Sequence, residues 1–128
     1  MNFIALFGVQ WQVRKKGAAE MTFQEAIELY REVYKRFEKV EYKQWGINGA
    51  MIELSKQVGD LSKWIMVKEQ YYAMNGEMPD SIDEHIGDEL ADIFGQIIRI
   101  ADYYSIDLEQ AHYKARDGEK ECLKSMGV

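Results

Sequence analysis

Apolar residues recur at intervals of three and four from residue 23 onwards, which is the period of α-helices that bury one face. The breaks between these segments predict four helices, at about 23–40, 49–74, 81–104 and from 107, with the last one fraying somewhere between about 118 and 125. The chain of 128 residues has one proline, and such scarce turn punctuation favours long helices over short strands. We therefore expect an all-α fold, with residues 21–128 forming a single four-helix bundle.

Three of the predicted helix starts carry the signature of an N-terminal cap, a small polar residue followed three positions later by Glu or Gln. The pairs are Thr22 with Glu25, Ser81 with Glu84, and Asp107 with Gln110. In each pair the first side chain is expected to accept a hydrogen bond from the backbone N–H of the second residue. The connector before the last cap is short, which implies antiparallel neighbouring helices.

The second and third predicted helices each carry a polar column beside an apolar stripe. The apolar stripes are Leu54, Val58, Leu61 and Ile65 in the second helix, and Ile86, Leu90, Ile93, Ile97, Ile100 and Tyr104 in the third. The first polar column is Glu53, Gln57, Asp60 and Trp64, and the second polar column is His85, Glu89, Asp92, Gln96 and Arg99. If the two helices pack antiparallel, the columns meet at the rim of the core. Their oxygens would suit Mg²⁺, although acids beside an apolar stripe also occur on ordinary solvated helices.

Charge and cysteine content narrow the function classes. The formal net charge is −6, which argues against binding to nucleic-acid polymers, because their affinity comes largely from Lys and Arg. The single cysteine, Cys122, excludes an internal disulfide and is typical of a cytoplasmic protein. Residues 1–20 begin with an apolar segment that lacks the features of a signal peptide and is too short to span a membrane. We expect this segment to be an N-terminal appendage or arm, and we expect no membrane partner.

Two segments of the chain resemble a known family. "LSKQVGDLSKWI" (54–65) and "GDELADIFGQIIRIADYYSIDLEQA" (87–111) are similar to the MazG-like, all-α nucleoside triphosphate pyrophosphohydrolases. The resemblance covers roughly residues 42–116. The family has a Glu-x-x-Glu pair on one helix and a Glu-x-x-Asp pair on a later one. Glu89 and Asp92 match the second pair, whereas the first pair reads Gln57 and Asp60.

The resemblance implies hydrolysis of a nucleoside triphosphate to a monophosphate and pyrophosphate with Mg²⁺, or Mn²⁺ in its place, as a housekeeping function for the nucleotide pool. It implies a bundle completed in a homodimer or homotetramer. It also implies catalytic roles for Glu89 and Asp92, stacking of a nucleobase on Trp45, and a phosphate contact from Lys114. The metal ligands that we expect are Gln57, Asp60, Glu89 and Asp92, together with Glu53. We add Glu53 because it lies one turn before Gln57 on the first polar column and supplies the missing carboxylate.

Two alternatives stay open on the sequence. Because Gln57 replaces a carboxylate and Lys56 adds a positive charge beside it, the chain is also consistent with a catalytically impaired family member. Such a protein would act as a nucleotide-binding or protein-interaction module. The second alternative is a di-iron bundle, since Glu109 and His112 have Glu-x-x-His spacing. A di-iron site needs two such motifs and two further glutamates, and the chain offers one motif.

Overall fold

The computed structural model describes residues 20–71 and 81–128, and these residues form four α-helices and no strand. The helices are α1 (Phe23–Phe37), α2 (Gly46–Lys68), α3 (Ile82–Tyr103) and α4 (Leu108–Ser125). The prediction of an all-α helical fold is therefore confirmed. The predicted N-terminal arm lies outside the described residues, apart from Glu20. In the described part of the chain, no helix combines the length and apolar character that crossing a membrane requires.

The helix boundaries agree with the predicted ones to within a few residues at most ends. Helix α1 ends at Phe37, because the backbone hydrogen bonds beyond it join residues three positions apart instead of four. An example is the 2.9 Å hydrogen bond from the Val40 N–H to the Phe37 carbonyl. Helix α2 ends at Lys68, and Gln70 then takes a left-handed φ of 58°. The predicted end near Met74 lies outside the described residues. Helix α4 ends at Ser125, at the limit of the range over which the last helix is expected to fray.

Two of the three predicted caps are present. The Thr22 hydroxyl oxygen accepts from the Glu25 N–H at 3.1 Å, and the Glu25 carboxylate accepts from the Thr22 N–H at 2.6 Å, which completes the capping box. Asp107 accepts from the Gln110 N–H at 3.0 Å. The prediction for Ser81 is wrong, because its side chain makes no capping hydrogen bond. Its backbone ψ of 31° is not the extended conformation that N-cap residues adopt.

The main packing interface joins α2 and α3, and α1 packs against α3 on another side. Helices α2 and α3 run antiparallel, because Trp64 near the end of α2 stacks on His85 near the start of α3. At the opposite end, Arg99 of α3 lies over the ring of Trp45. Helix α4 contacts the start of α1 through Gln24 with Glu109 and through Phe23 with His112, and every residue from Glu109 onwards is exposed.

The buried side of α2 and α3 differs from the one that the helical wheel favours. Gln57 and Gln96 of the two polar columns are buried, with exposed fractions of 7% and 5%. By contrast, Leu90 of the apolar stripe is 53% exposed and Val58 is 46% exposed. Only these two members of the polar columns are buried, whereas Asp92 is exposed and the other members are half-buried. Parts of both apolar stripes face outwards. The fully apolar core is small and consists of Ile27, Ala50, Val67, Ile82, Ile98 and Ala101.

Candidate functional site

A cleft of about 1200 Å³ opens between α1, α2, α3 and the connector from α1 to α2. Its lining includes members of both polar columns, namely Glu53, Gln57, Asp92, Gln96 and Arg99. Antiparallel packing of α2 on α3 brings these residues together, as the sequence predicts. The connector adds Glu41 and Trp45 at one end of the cleft, and α1 adds Tyr30.

The acidic end of the cleft is formed by Glu53, Gln57 and Asp92. The Gln57 side-chain amide donates to a Glu53 carboxylate oxygen at 3.3 Å. The other amide atom, Gln57 Oε1, is buried and accepts no hydrogen bond from any described residue. Lys56 Nζ lies 3.5 Å from Glu53 Oε1 and 3.3 Å from Asp60 Oδ2, so one cation already balances part of the negative charge.

Asp92 is held in a position where its charge is disfavoured. Partial burial in the cleft raises the pKa of its carboxyl group, and the nearby carboxylates of Asp88 and Glu53 raise it further. Lys56 acts in the opposite direction, but the net effect is a raised pKa. A bound cation would relieve this repulsion, because opposite charge favours the ionised carboxylate.

Gln96 and Tyr30 form the middle of the cleft. The Gln96 amide nitrogen donates to the Tyr30 hydroxyl oxygen at 3.3 Å, and Gln96 Oε1 is buried without a donor among the described residues. Burial is the main reason that the pKa of Tyr30 is raised. The Tyr30 ring lies directly against Gly95, where an added Cβ would come within 2.4 Å of a ring carbon. Gly95 is therefore required for the close approach of α1 to α3.

The far end of the cleft combines an ion pair with an aromatic ring. Arg99 Nη2 donates to Glu41 Oε1 at 2.6 Å, and these side chains are 12% and 8% exposed. The guanidinium lies over Trp45 at 4.8 Å from the ring centroid and over Tyr34 at 5.4 Å. An added Cβ at Gly49 would lie 2.5 Å from Trp45 Cβ, so this glycine makes room for the half-buried indole.

The predicted site residues are only partly brought together. Glu53, Gln57, Asp92 and Trp45 line the cleft. Asp60 and Glu89 do not line it, although each lies one helical turn further along its polar column. Within residues 20–71 and 81–128, no three or more His, Cys, Asp or Glu side chains form a group suited to a metal ion. Gln57 is not one of these residue types, but its free side-chain oxygen is a further potential metal ligand.

Lys114 lies on exposed α4, outside the lining of the cleft. The residues of the di-iron alternative are also exposed on α4, where Glu109 accepts a hydrogen bond from Gln24 at 2.6 Å. His85, the first member of the second polar column, is half-buried against Trp64.

Among the cleft residues that were not predicted as site residues are Gln96, Arg99 and Glu41. Arg99 and Gln96 belong to the second polar column, so the helical period already places them beside Asp92. Glu41 lies in the connector, where no periodicity relates it to the helices. Only the fold brings it to Arg99, which is 58 residues away in the chain.

Comparison with family models, with curated proteins and with solved structures finds no match to this chain. Chemically, the cleft offers carboxylate and amide oxygens at one end, and an aromatic ring with a guanidinium at the other. This arrangement suits a ligand with an anionic end, which a divalent cation would link to the oxygens of the cleft, and a planar end, which would lie on the aromatic ring.

Proposed function

We propose that the chain is a Mg²⁺-dependent nucleoside triphosphate pyrophosphohydrolase of the MazG-like type. The observation that carries the proposal is the meeting of the two polar columns in one cleft. These columns contain the pairs that resemble the family's two metal-binding motifs, and Glu53, Gln57, Asp92 and Gln96 line the cleft from both helices. Trp45 at the far end offers a ring for a nucleobase.

The oxygen donors of the acidic end fit a hard divalent cation. Glu53 and Asp92 supply carboxylates, and Gln57 supplies a buried carbonyl oxygen that lacks a donor among the described residues. In the proposed site these three residues hold the ion, and Asp60 and Glu89 extend the set by one turn on each helix. When bound, Mg²⁺ would offset the charge of the phosphates and help to position a water molecule.

The proposed reaction is attack of water on the α-phosphorus. A bond forms between the water oxygen and this phosphorus, the bond to the oxygen that bridges to the β-phosphorus breaks, and pyrophosphate leaves. A nucleoside monophosphate remains. Asp92 or Glu89 accepts the proton of the water as general base. The carboxylate that is less closely tied to the ion takes this role.

We also propose that the chain acts as a homodimer or homotetramer. Leu90, Ile97 and Tyr104 of the predicted apolar stripe are 53%, 38% and 57% exposed on one side of α3. Helix α4 is likewise exposed along most of its length. Exposed apolar side chains that share one side of a helix, as these three do, are typical of protein–protein interfaces.

A catalytically impaired nucleotide-binding module is the second candidate, and one observation favours it. Lys56 lies within 3.5 Å of Glu53 and within 3.3 Å of Asp60, so the first polar column has its own cation. With Gln57 in place of a carboxylate, this column carries less negative charge to attract a metal. Such a protein would bind nucleotides in the same cleft and leave them intact.

The test is pyrophosphate release from a panel of canonical and modified NTPs and dNTPs, with Mg²⁺ or Mn²⁺. Asp92→Asn keeps the shape of the side chain and removes its charge, and Asp117→Asn makes the same change on exposed α4. Release by the wild type and by Asp117→Asn, together with its loss in Asp92→Asn, would support the hydrolase. Binding of nucleotides without release would favour the impaired module, and neither binding nor release would contradict both candidates.

A further inference from the structure

The cleft contains three buried oxygen atoms that accept no hydrogen bond from the described residues. They are Glu41 Oε2, Gln57 Oε1 and Gln96 Oε1, and all three residues belong to the lining of the cleft. Gln57 and Gln96 are more than nine-tenths buried. Buried acceptors without donors are costly, and native proteins nearly always satisfy them. The shared location of these atoms therefore points to a ligand that supplies donors.

The hydrogen bonds of the same side chains determine which atoms stay free. The Gln96 nitrogen donates to the Tyr30 hydroxyl at 3.3 Å, so its oxygen is the end without a partner. The first carboxylate oxygen of Glu41 accepts from Arg99 at 2.6 Å, which leaves the second one. Both free atoms are acceptors, since a carboxylate and an amide carbonyl have no proton to donate.

Glu41 lies at the end of the cleft that is away from the proposed metal, and Gln96 lies in the middle of the cleft. Glu41 is held by Arg99, whose guanidinium lies over Trp45. Gln96 lies on α3 between Asp92 and Arg99, about one turn from each. If Trp45 stacks on a nucleobase, as the proposed function has it, Glu41 Oε2 and Gln96 Oε1 are the free acceptors outside the acidic end that are available to the edge of that base. Gln57 belongs to the acidic end, beside Glu53.

We propose, on the basis of the proposed function, that Glu41 and Gln96 select nucleotides whose base carries an exocyclic amino group. An amino group brings two N–H donors to a wall of acceptors. The corresponding oxo base has a carbonyl oxygen in place of the amino group, so it places an acceptor against the free oxygens of Glu41 and Gln96. Such a base offers these oxygens only one donor, the N–H of its ring. Sites built to hydrogen-bond a substrate NH discriminate strongly against analogues that lack it.

The experiment is calorimetric titration with α,β-methylene triphosphates, which resist cleavage at the proposed bond, in the presence of Mg²⁺. Two matched pairs differ in one exocyclic group: the CTP and UTP analogues, and the ATP and ITP analogues. We expect the amino member of each pair to bind about tenfold more tightly to the wild type. Because binding is measured without turnover, the result does not depend on catalytic activity.

Two variants assign the selectivity to named atoms. Gln96→Met keeps the length of the side chain and removes the acceptor, so the ratio of affinities within each pair should fall at least threefold. Glu41→Gln keeps an oxygen for Arg99 and turns the free acceptor into an amino donor, so the ratio should move towards the oxo member. Gln110→Met, on exposed α4, is the matched control and should keep the wild-type ratio.

The outcomes separate the inference from the proposed function. Equal affinity for both members of each pair would overturn the amino selectivity while leaving nucleotide binding in place. Absence of binding for all four analogues would overturn both. A wild-type preference that survives unchanged in Gln96→Met and in Glu41→Gln, with both variants folded by circular dichroism, would remove these two residues from the assignment.

Discussion

The indole ring of Trp64 and the imidazole ring of His85 stack in nearly parallel planes, 4.1 Å apart and inclined by 3°. This contact joins the end of α2 to the start of α3. Together with the contact between Trp45 and Arg99 at the opposite end, it sets how the two helices are aligned. The alignment places Glu53 and Gln57 in the same cleft as Asp92 and Gln96. The shape of the cleft therefore depends on a stacked pair that lies outside it, at the other end of the two helices.

Loss of the stacked ring should destabilise the α2–α3 interface. We expect His85→Ala to lower the free energy of unfolding by about 1 kcal/mol, because aromatic pairs contribute roughly this much beyond simple burial. Equilibrium unfolding in urea measures the change. His112→Ala is the matched control, since His112 is exposed and its ring centroid lies 6.3 Å from that of Phe23. Equal loss of stability in both variants would show that the stacking has no special role.

The contact between α1 and α3 should depend on pH through Asp102. This carboxylate accepts from Arg31 Nη2 at 2.7 Å and from the Tyr34 hydroxyl at 2.7 Å. The hydrogen bond from Arg31 is the main reason that the pKa of Asp102 is lowered, and burial acts in the opposite direction. A lowered pKa in the folded state means that the ionised form adds stability above the usual value near 3.8, and that this stability is lost as the pH falls through the lowered pKa.

We therefore expect Asp102→Asn to destabilise the protein at pH 7 by about 2 kcal/mol, as for other charge-assisted hydrogen bonds. The difference from the wild type should shrink as the pH falls below 3.8, because the unfolded chain then binds a proton at this carboxyl that the folded wild type binds only at lower pH. Unfolding curves at several pH values measure this difference, with Asp117→Asn on exposed α4 as the control. A difference that is constant with pH would indicate lost packing rather than a lost charge.

The helices and the two polar columns could be predicted from the sequence, because helical periodicity is a local property. The buried side of each helix could not. On each helix the polar column adjoins the apolar stripe, as Gln96 and Leu90 show on α3. The helical wheel does not indicate which of the two a neighbouring helix will cover. The role of Glu41 also escaped prediction, since only the packing of the connector on α3 brings it to Arg99.

If the chain forms the proposed homodimer or homotetramer through the exposed apolar stripe of α3, a charge in this stripe should dissociate the assembly. Leu90→Glu places a charge at a position that is 53% exposed in the single chain. If a second chain covers this position, burial of the charge is costly, and the assembly should dissociate. Sedimentation velocity measures the change. Val128→Glu, at a terminal position that is 86% exposed, should leave the assembly intact, and a monomeric wild type would contradict the proposal.

The raised pKa of Asp92 gives a prediction with the opposite sign from that of Asp102. Because partial burial and the carboxylates of Asp88 and Glu53 raise this pKa, the folded state binds a proton more readily than the unfolded one. The ionised form therefore costs stability at neutral pH, and the cost disappears as the pH falls through the raised pKa. We expect Asp92→Asn to be more stable than the wild type at pH 7 without metal.

Thermal unfolding at pH 7 and at lower pH measures this difference, which should narrow as Asp92 becomes protonated in the wild type. Addition of Mg²⁺ should stabilise the wild type more than Asp92→Asn, since the proposed ion is held partly by this carboxylate. Asp117→Asn should follow the wild type in both respects. A variant that is less stable than the wild type at pH 7 would mean that the charge of Asp92 is already balanced in the folded chain.

Gln57→Glu tests the proposed metal site most directly, because it restores a carboxylate where the resemblance expects one. Without metal, the new charge lies buried beside Glu53, so we expect the variant to be less stable than the wild type. With Mg²⁺ the same charge is paired, so the affinity for Mg²⁺ should rise by roughly tenfold and any hydrolysis should increase. Calorimetric titration with Mg²⁺ and unfolding with and without the ion measure both effects.

Gln110→Glu on exposed α4 is the control for Gln57→Glu and should show neither of these effects. If Gln57→Glu lost stability without any gain in Mg²⁺ affinity, the free oxygen of Gln57 would not face the ion, and the impaired nucleotide-binding module would become the better account of the cleft.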